Sequence, residues 1–219
     1  MIDILKKYDC FKKEKLEELI LLDEQGLSNT NYLLKTSKKN YIIKVFGSLH
    51  VDRKFEFEVS KKAYKKGIGA NPVLLDMDNS LMIYEFLDGF HKFKLKRDDI
   101  KSIALLLKKL HKIKVRSRKK DFVLCHHDLN PKNFIFLKKD IRLIDWEYAS
   151  ANDRYFDLAS VAVEFKLNKK EERIFLGYYF KNNHLINIKK INFYKIKYVK
   201  ICKKWFKLHA SLCLMQRSS

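Results

Sequence analysis

The sequence predicts a mixed α+β protein with a small antiparallel sheet in its first part and mostly helices in its second. Short apolar runs separated by polar turns fill the first 87 residues, as expected of antiparallel strands. From residue 98 onward, apolar residues recur mainly at helical spacing. A chain of 219 residues with 47% hydrophobic content can build one sizeable core or two small lobes. We therefore predict a first lobe over residues 1–87 and a second over residues 88–219.

The first lobe is predicted to alternate strands with two helices. The predicted order is a helix, three strands, a second helix and two strands, over residues 12–18, 19–23, 31–36, 40–46, 52–66, 73–75 and 81–86. Ser37-Lys38-Lys39 is a hairpin turn between the second and third strands. Asp52 is a candidate N-cap for the second helix, and Gly67 a residue that ends it.

The second lobe is predicted to hold four helices and one short hairpin. The helices cover residues 98–112, 153–165, 169–181 and 188–215, and the hairpin strands cover residues 133–137 and 141–144. Asp98 is the candidate N-cap of the first of these helices. The hairpin turn, Lys138-Lys139-Asp140, is short, so the residues at the outer ends of its strands should lie close together.

Composition limits the classes of function. The formal net charge is +21, which nucleic-acid-binding proteins can reach, but lysine is spread along the whole chain without interleaved stacking aromatic residues. We therefore expect no specific nucleic-acid partner. The amino terminus becomes charged too early for a signal peptide. The sequence contains no run of 18 apolar residues, so we expect no membrane span. Four cysteines without C-x-x-C spacing suggest reduced thiols in a cytoplasmic protein, while the oligomeric state stays open.

The candidate catalytic and metal-binding residues lie between residues 126 and 145. His126-His127-Asp128-Leu129-Asn130-Pro131-Lys132-Asn133 has the pattern H-x-D-x-x-x-x-N, and the second hairpin strand ends at Asp145. Phosphoryl transfer from ATP needs a group that orients the attacking hydroxyl and oxygen ligands for Mg²⁺. Asp128 fits the first role, and Asn133 and Asp145 supply hard oxygen atoms for the second. A plain surface turn is the alternative, because Asp, Asn and Pro cluster in turns for local reasons.

Taken with the phrases that follow it, this loop resembles the choline/ethanolamine kinase family. The phrases are Leu143-Ile144-Asp145-Trp146-Glu147-Tyr148-Ala149 and Asn152-Asp153-Arg154-Tyr155-Phe156-Asp157-Leu158-Ala159, which resemble bacterial choline kinases in particular. The family belongs to the aminoglycoside-phosphotransferase-like, protein-kinase-like superfamily. The resemblance covers about residues 26–165. It implies a protein-kinase-like two-lobe fold, ATP and Mg²⁺ as cofactors, and transfer of a phosphoryl group to choline, giving phosphocholine and ADP.

The resemblance assigns several first-lobe residues to ATP. Ser28 and Asn29 match the family's phosphate-covering loop, although the residues alone also fit a polar turn. Lys44 takes the place of the lysine that neutralises phosphate charge, held by a carboxylate on the next helix. Glu56 matches the family phrase R-x-x-E, and Glu58 is the competing candidate.

The resemblance also implies where the adenine and the catalytic loop are supported. Backbone atoms near Glu85 and Leu87 would bind the adenine edge. Asp157 would support the loop that carries Asp128, which is a structural task, and His111 would also be structural.

The acceptor residues implied by the resemblance are Trp146, Glu147, Tyr148, Glu164 and Trp205. A quaternary ammonium has no N–H to donate, and proteins hold it over aromatic faces. Ordinary core packing is an open alternative for Trp146 and Tyr148. Choline kinases tend to carry two tryptophans three apart near Trp205, and here Leu208 stands at the second position. The acceptor could therefore be choline, ethanolamine, thiamine or an aminoglycoside, and a non-catalytic pseudokinase or a basic RNA-binding protein are rival classes.

Overall fold

The computed structural model describes residues 1–23, 29–47, 51–182 and 186–216, with side chains up to Trp205 and at Lys207. The chain forms two compact units. The first contains Met1–Phe90 and Ile135–Tyr148, and the second contains His91–Phe134 and Ala149–Ser219. The predicted α+β class is confirmed. The lobe boundary between residues 87 and 88 stays a prediction, and the grouping of Ile135–Tyr148 with the first unit was not indicated by the sequence.

The first unit is built on a five-stranded antiparallel sheet. Its strands are β1 (Leu16–Leu21), β2 (Asn29–Thr36), β3 (Asn40–Phe46), β4 (Pro72–Asp76) and β5 (Leu81–Glu85), in the order β1-β2-β3-β5-β4. The predicted hairpin is confirmed, because Lys35 pairs with Asn40 across the Ser37-Lys38-Lys39 turn. Strand β3, which carries Lys44, lies between β2 and β5 and is therefore an interior strand.

A hydrophobic core covers one face of this sheet. Leu5 from helix α1 (Ile2–Leu5) and Phe11 from a 3₁₀-helix, Asp9–Phe11, pack against Leu34, Ile43 and Ile83. These five side chains are at most 3% exposed. Because successive side chains of a strand point to opposite faces of a sheet, the residues between these core positions lie on the opposite face.

The helix predicted over residues 12–18 is wrong. The structure has β1 from Leu16, with Leu16 paired to Thr36 and Leu19 to Leu34. The strand predicted from residue 19 is confirmed, but it begins earlier, because the pairing of residues 16–18 with β2 supplies hydrogen bonds and apolar neighbours that outweigh weak local propensity. The register of the β1–β2 pair shifts between Leu16 and Glu18.

Helix α2 (Arg53–Lys65) confirms the prediction and its cap. Asp52 Oδ1 accepts a hydrogen bond from Phe55 N at 3.0 Å, and Gly67 follows the helix with φ +67°. Strands β7 (Phe134–Phe136) and β8 (Ile141–Leu143) form the predicted two-stranded sheet. Leu143 N donates to Ile68 O at 2.7 Å, so the end of β8 is fixed beside the residues that follow α2.

The second unit is mainly helical, as predicted. It contains α3 (Arg97–Leu110), α4 (Tyr155–Glu164), α5 (Lys169–Phe180) and α6 (Ile188–Gln216). Helix α3 packs on α5, and α4 packs on α6. The structure adds strands β6 (Val123–Cys125) and β9 (Ser150–Asn152), which pair antiparallel and were not predicted. Helix α4 is buried from Tyr155 to Ala162, which makes it the central helix of the unit.

The cap predicted for α3 at Asp98 lies two residues after the observed N-cap, Lys96. Asp99, not Asp98, accepts a hydrogen bond from Lys96 N, at 2.8 Å, and Asp98 is exposed. The N-cap position is Lys96, three residues before Asp99, so the acid at N3 reaches back to the cap in the manner of a capping box. The correction moves the helix start by one residue and leaves its buried stripe unchanged.

Two negative findings apply to the described residues. None of their helices is both long enough and apolar enough to cross a membrane. Within the same part of the chain, Cys10, Cys125 and Cys202 are free thiols.

Candidate active site

The first unit contains a cluster of buried charged side chains in which one lysine is surrounded by three carboxylates. Lys44 Nζ donates to Glu56 Oε1 at 2.7 Å and to Asp145 Oδ1 at 2.6 Å, and lies 3.7 Å from Glu147 Oε2. The Lys44 side chain is only 7% exposed. Glu58, the alternative partner, is exposed and pairs with Lys61 instead. The geometry therefore places Glu56, not Glu58, beside Lys44.

Arg53 ties the same group together from α2. Its guanidinium donates to Glu56 Oε2 at 2.7 Å, to Glu147 Oε2 at 3.3 Å and to Asn29 Oδ1 at 2.6 Å. The Asn29 amide in turn donates to Glu147 Oε2 at 2.9 Å. Glu147, predicted to contact the acceptor, thus has its carboxylate engaged by Asn29 and Arg53. We call this set the Lys44 cluster: Asn29, Lys44, Arg53, Glu56, Asp145 and Glu147.

The Lys44 cluster carries two cations and three carboxylates, so its formal charge is −1 when all five groups are ionised. Burial by itself lowers the pKa of Lys44, but Asp145 and Glu56 outweigh that effect and raise it above its ordinary value. Lys44 is therefore protonated at neutral pH. The Asp145 side chain is 35% exposed, whereas those of Glu56 and Glu147 are 1% and 4% exposed. The accessible negative charge of the cluster is thus the Asp145 carboxylate.

The second unit holds the H-x-D-x-x-x-x-N loop between β6 and β7. Asn133 Nδ2 donates to Asp128 Oδ2 at 2.8 Å and to the Asp128 carbonyl at 2.9 Å. Asn130 Nδ2 donates to Asp128 Oδ1 at 3.0 Å, and Asn130 also caps the 3₁₀-helix Pro131–Asn133 by accepting from Lys132 N. Both oxygens of the Asp128 carboxylate are therefore oriented by amides from its own loop.

Asp157 supports this loop from α4. Its carboxylate is fully buried and accepts from His126 N at 2.8 Å and from His127 N at 3.1 Å. His111 Nε2 lies 3.1 Å from Asp157 Oδ2, and His111 Nδ1 lies 2.7 Å from the Tyr179 hydroxyl. Burial raises the pKa of Asp157, but His111 and the backbone donors lower it more, so the net shift is downward. An ionised, immobile carboxylate thus holds the backbone just before Asp128.

The inner face of α6 brings further candidate residues together. Tyr198, Cys202 and Trp205 follow the helical spacing i, i+4, i+7. The Tyr198 hydroxyl donates to Glu164 Oε1 at 2.8 Å. Burial raises the pKa of the Cys202 thiol, and the charges of Glu164 and Asp128 raise it further. Glu164 and Asp128 are therefore both electrostatic neighbours of this face.

The remaining predicted residues take varied places. Ser28 lies outside the described residues. The Glu85 side chain forms an ion pair with Lys39, and Leu87 follows the end of β5 and is half-buried. Trp146 is 2% exposed, as core packing requires, whereas Tyr148 is half-buried.

Sequence reasoning did not give roles to three residues of these sites. In the sequence, Arg53 appeared only as part of the R-x-x-E phrase. Its position three residues before Glu56 on α2 already indicated that the two side chains can form an ion pair. Asn130 lies inside the loop, two residues after Asp128, so its contact was accessible to local reasoning. Tyr198 carried no signal, because its contact with Glu164 spans 34 residues.

The donor chemistry fits Mg²⁺. Asp145 and Asn133 offer carboxylate and amide oxygens, the ligands that a small hard cation prefers. The negative charge of the Lys44 cluster also favours a cation near Asp145. A second group, His111, Cys125 and Asp157, has ligand atoms within 4.8 Å of one another. It fits a metal poorly, because both His111 nitrogens are engaged in hydrogen bonds and burial raises the pKa of the Cys125 thiol.

Comparisons with known proteins agree with these features. Residues 116–213 match the sequence model of the choline/ethanolamine kinase family. Protein LicA of Haemophilus influenzae is 20% identical over 205 residues, which cover 70% of this chain and 60% of LicA. The chain thus spans about 60% of the length of that curated relative.

Solved structures extend the likeness over nearly the whole fold. The choline kinase LicA from Streptococcus pneumoniae has a TM-score of 0.79 at 22% identity, covering 96% of this chain and 91% of that one. A structure of LicA in complex with AMP has a TM-score of 0.73 at 24% identity, covering 96% and 90%. At these identities the likeness shows the fold, which is protein-kinase-like. Together with the match over residues 116–213, it agrees with the resemblance seen in the sequence: the chain is similar to the choline/ethanolamine kinases in that segment and shares their fold.

Proposed function

We propose that this chain transfers the terminal phosphoryl group of ATP to the hydroxyl of choline, forming phosphocholine and ADP with Mg²⁺ as cofactor. The observation that carries the proposal is the Lys44 cluster. A protonated, nearly buried lysine is fixed by the α2 carboxylate of Glu56 and contacts the half-exposed carboxylate of Asp145. Phosphoryl transfer requires this combination of a fixed cation and an accessible oxygen ligand.

In this proposal each unit supplies a separate part of the chemistry. Lys44 neutralises phosphate charge, and Glu56 and Arg53 keep its ammonium group in place. Asp145 and Asn133 would supply oxygen ligands to Mg²⁺, which would offset the charge of the phosphate oxygens. Asp128 orients the acceptor hydroxyl and takes its proton as the oxygen attacks phosphorus and the bond to ADP breaks. The proposal keeps Asn29, Ser28 and the backbone near Glu85 and Leu87 as the further nucleotide contacts implied by the family resemblance.

The acceptor amine is assigned to the inner face of α6. Trp205 provides an aromatic face, and Glu164 provides a carboxylate already oriented by the Tyr198 hydroxyl. Cys202 lies between the two aromatic residues on the same face and is an electrostatic neighbour of Asp128, which supports a hydroxyl near Asp128 and an amine near Trp205. Tyr148 stays a predicted acceptor contact. Choline is chosen over ethanolamine because the phrase from Asn152 to Ala159 resembles bacterial choline kinases in particular.

The test is an ADP-release assay with Mg²⁺ and, in turn, choline, ethanolamine, thiamine and an aminoglycoside. We expect choline to give the highest kcat/KM. The Asp128→Asn variant should lose about 10³-fold or more in kcat while still binding ATP, since it removes the proton acceptor. The matched control is Asp98→Asn, at an exposed position of α3, which should behave as wild type. Near-normal turnover by the Asp128 variant would contradict the assignment of Asp128 as the proton acceptor. Binding of ATP by the wild-type chain, without ADP release with any of the four acceptors, would indicate a pseudokinase.

A second variant separates acceptor recognition from catalysis. Trp205→Leu should raise the KM for choline about tenfold or more, since a cation–aromatic contact that excludes water contributes roughly 1–2 kcal/mol. The KM for ATP should stay unchanged. Equal effects on the two KM values would show that Trp205 supports the fold and does not contact the amine.

A further inference from the structure

Helix α6 has a charge pattern unlike the other long helices. From Ile188 to Gln216 it contains eight lysines and no Asp or Glu. Helices α2, α3 and α5 each carry acidic residues as well, including Glu58, Asp98 and Glu172. A lysine-rich composition alone therefore does not explain α6, because the acidic residues found on the other helices are absent from it.

The lysines on the inner side of α6 are matched by carboxylates of the second unit. Lys190 Nζ lies 2.5 Å from Asp153 Oδ2, and Lys195 Nζ lies 2.5 Å from Glu172 Oε2. These pairs join α6 to the residues before α4 and to α5. They show that the fold supplies acidic partners for α6 where it packs.

The outer side presents a different surface. We define the outer face of α6 as Lys189, Phe193, Ile196, Lys197, Lys200 and Lys204. The positions follow the spacing i, i+4, i+7, i+8, i+11 and i+15, which is a single helical face about 22 Å long. All six are exposed, and Phe193 and Ile196 are each 60% exposed. Four lysines thus surround two large apolar side chains that are open to solvent.

We propose that the outer face of α6 binds the surface of an anionic phospholipid bilayer. The four ammonium groups complement a negatively charged surface, and the alkyl parts of lysine can lie along it while the charges stay in water. Phe193 and Ile196 are suited to enter the boundary between headgroups and acyl chains. An aliphatic residue such as Ile196 gains from an apolar phase, whereas it offers no stacking face to a nucleic-acid base. The charge and the exposed apolar groups together favour a membrane over nucleic acid.

The proposal concerns attachment to a surface and is independent of the enzymatic activity. None of the six residues belongs to the Lys44 cluster, the Asp128 loop or the inner face of α6. Loss of membrane binding is therefore expected to leave kinetics in solution unchanged, and loss of catalysis is expected to leave membrane binding unchanged.

The experiment is co-sedimentation of the full chain with vesicles. Vesicles of equal parts phosphatidylglycerol and phosphatidylcholine are compared with vesicles of phosphatidylcholine alone, at low and at moderate salt. We expect binding only to the anionic vesicles, weakened by salt. Each lysine near such a surface contributes a factor of about five, so Lys197→Gln, Lys200→Gln and Lys204→Gln combined should weaken binding on the order of 100-fold.

The matched control removes three exposed lysines from another helix. Lys54→Gln, Lys62→Gln and Lys65→Gln on α2 make the same change in net charge. This control should bind as tightly as wild type to within a fewfold. A variant with both Phe193→Ser and Ile196→Ser should lose the vesicle binding that persists at moderate salt. Salt screens the contribution of the lysines, so the binding that remains depends on the two apolar side chains. Circular dichroism of each variant checks that it is folded.

Three outcomes overturn the proposal. Equal losses in the α6 and α2 triple variants would show that net charge alone attracts the protein. Binding to single-stranded RNA that exceeds vesicle binding at the same salt, and that the α6 variant abolishes, would identify nucleic acid as the partner. A change of oligomeric state in the Phe193→Ser and Ile196→Ser variant, without a change in vesicle binding, would make the face an interface between two copies of the chain.

Discussion

Replacing Glu56 by Gln tests whether the Lys44 cluster is held by this carboxylate. The substitution keeps the shape of the side chain but removes one of three negative charges. It also turns an amide N–H₂ toward Lys44 or Arg53, which are both donors at 2.7 Å. The new side chain can thus accept from only one of the two cations. Glu56 is 1% exposed, so water cannot replace the lost acceptor.

The expected loss of stability in the Glu56→Gln variant follows from the burial of the Glu56 side chain. Breaking a buried ion pair by removing one partner costs about 3–5 kcal/mol, and the remaining amide oxygen recovers part of that cost. We expect the Glu56→Gln variant to lose about 3 kcal/mol in free energy of unfolding. For a chain of this size that corresponds to a fall in Tm of roughly 6–12 °C. Nucleotide binding should weaken as well, because Lys44 is then held mainly by Asp145.

Glu58→Gln is the matched control on the same helix. The Glu58 side chain is 55% exposed and pairs with Lys61, so solvent screening limits its contribution to about 0.5 kcal/mol or less. Urea unfolding followed by circular dichroism, together with ATP titration, measures both effects. Similar losses in the two variants would refute the reasoning, because they would show that burial and the Lys44 contact make no difference to the energetic role of Glu56.

Two further predictions concern the support of the site. Asp157 has a lowered pKa in the folded state, so its ionised form contributes stability that is present above its unfolded pKa of about 3.9 and is lost as the pH falls through the folded pKa. The Asp157→Asn variant should therefore be clearly less stable than wild type at pH 7, and the difference should shrink toward pH 3 in urea titrations; a difference independent of pH would contradict the assigned charge. Gly89→Ala places a Cβ 2.5 Å from Ile135 Cγ2 and 2.7 Å from the Phe136 carbonyl oxygen, so it should cost about 1–3 kcal/mol in the same assay, and an unchanged midpoint would show that the backbone relaxes freely there.

Features encoded over a few residues were predictable. The β2–β3 hairpin depended on a three-residue turn, and the Asp52 cap on a residue directly before α2. The contact between Asp128 and Asn133 is also local, because both residues belong to one loop only five residues apart. Such features follow from backbone geometry and short-range hydrogen bonding, which the sequence pattern displays directly.

Features that depend on distant partners were mispredicted or were not assigned. Residues 16–18 were predicted as part of a helix, and their pairing with β2 makes them the start of a strand. Glu147 follows the strand that delivers Asp145, and its neighbours suggested an acceptor role. The acceptor role stays a prediction, and the structure adds contacts of its carboxylate with Arg53 and Asn29, from which it is separated by 94 and 118 residues. The identity of those partners cannot be read from the residues beside Glu147.

The helices α2 to α6, the β2–β3 hairpin, the local pairing of Asp128 with Asn133 and the lysine spacing along α6 follow from the amino-acid sequence alone. The tertiary structure decided which charges share a buried site, which side of α6 is covered, and which glutamate of α2 meets Lys44. The physical reason is the separation along the chain between the residues that interact. Propensity and capping act over a few residues, whereas burial and ion pairing depend on which distant segments the fold brings within hydrogen-bonding distance.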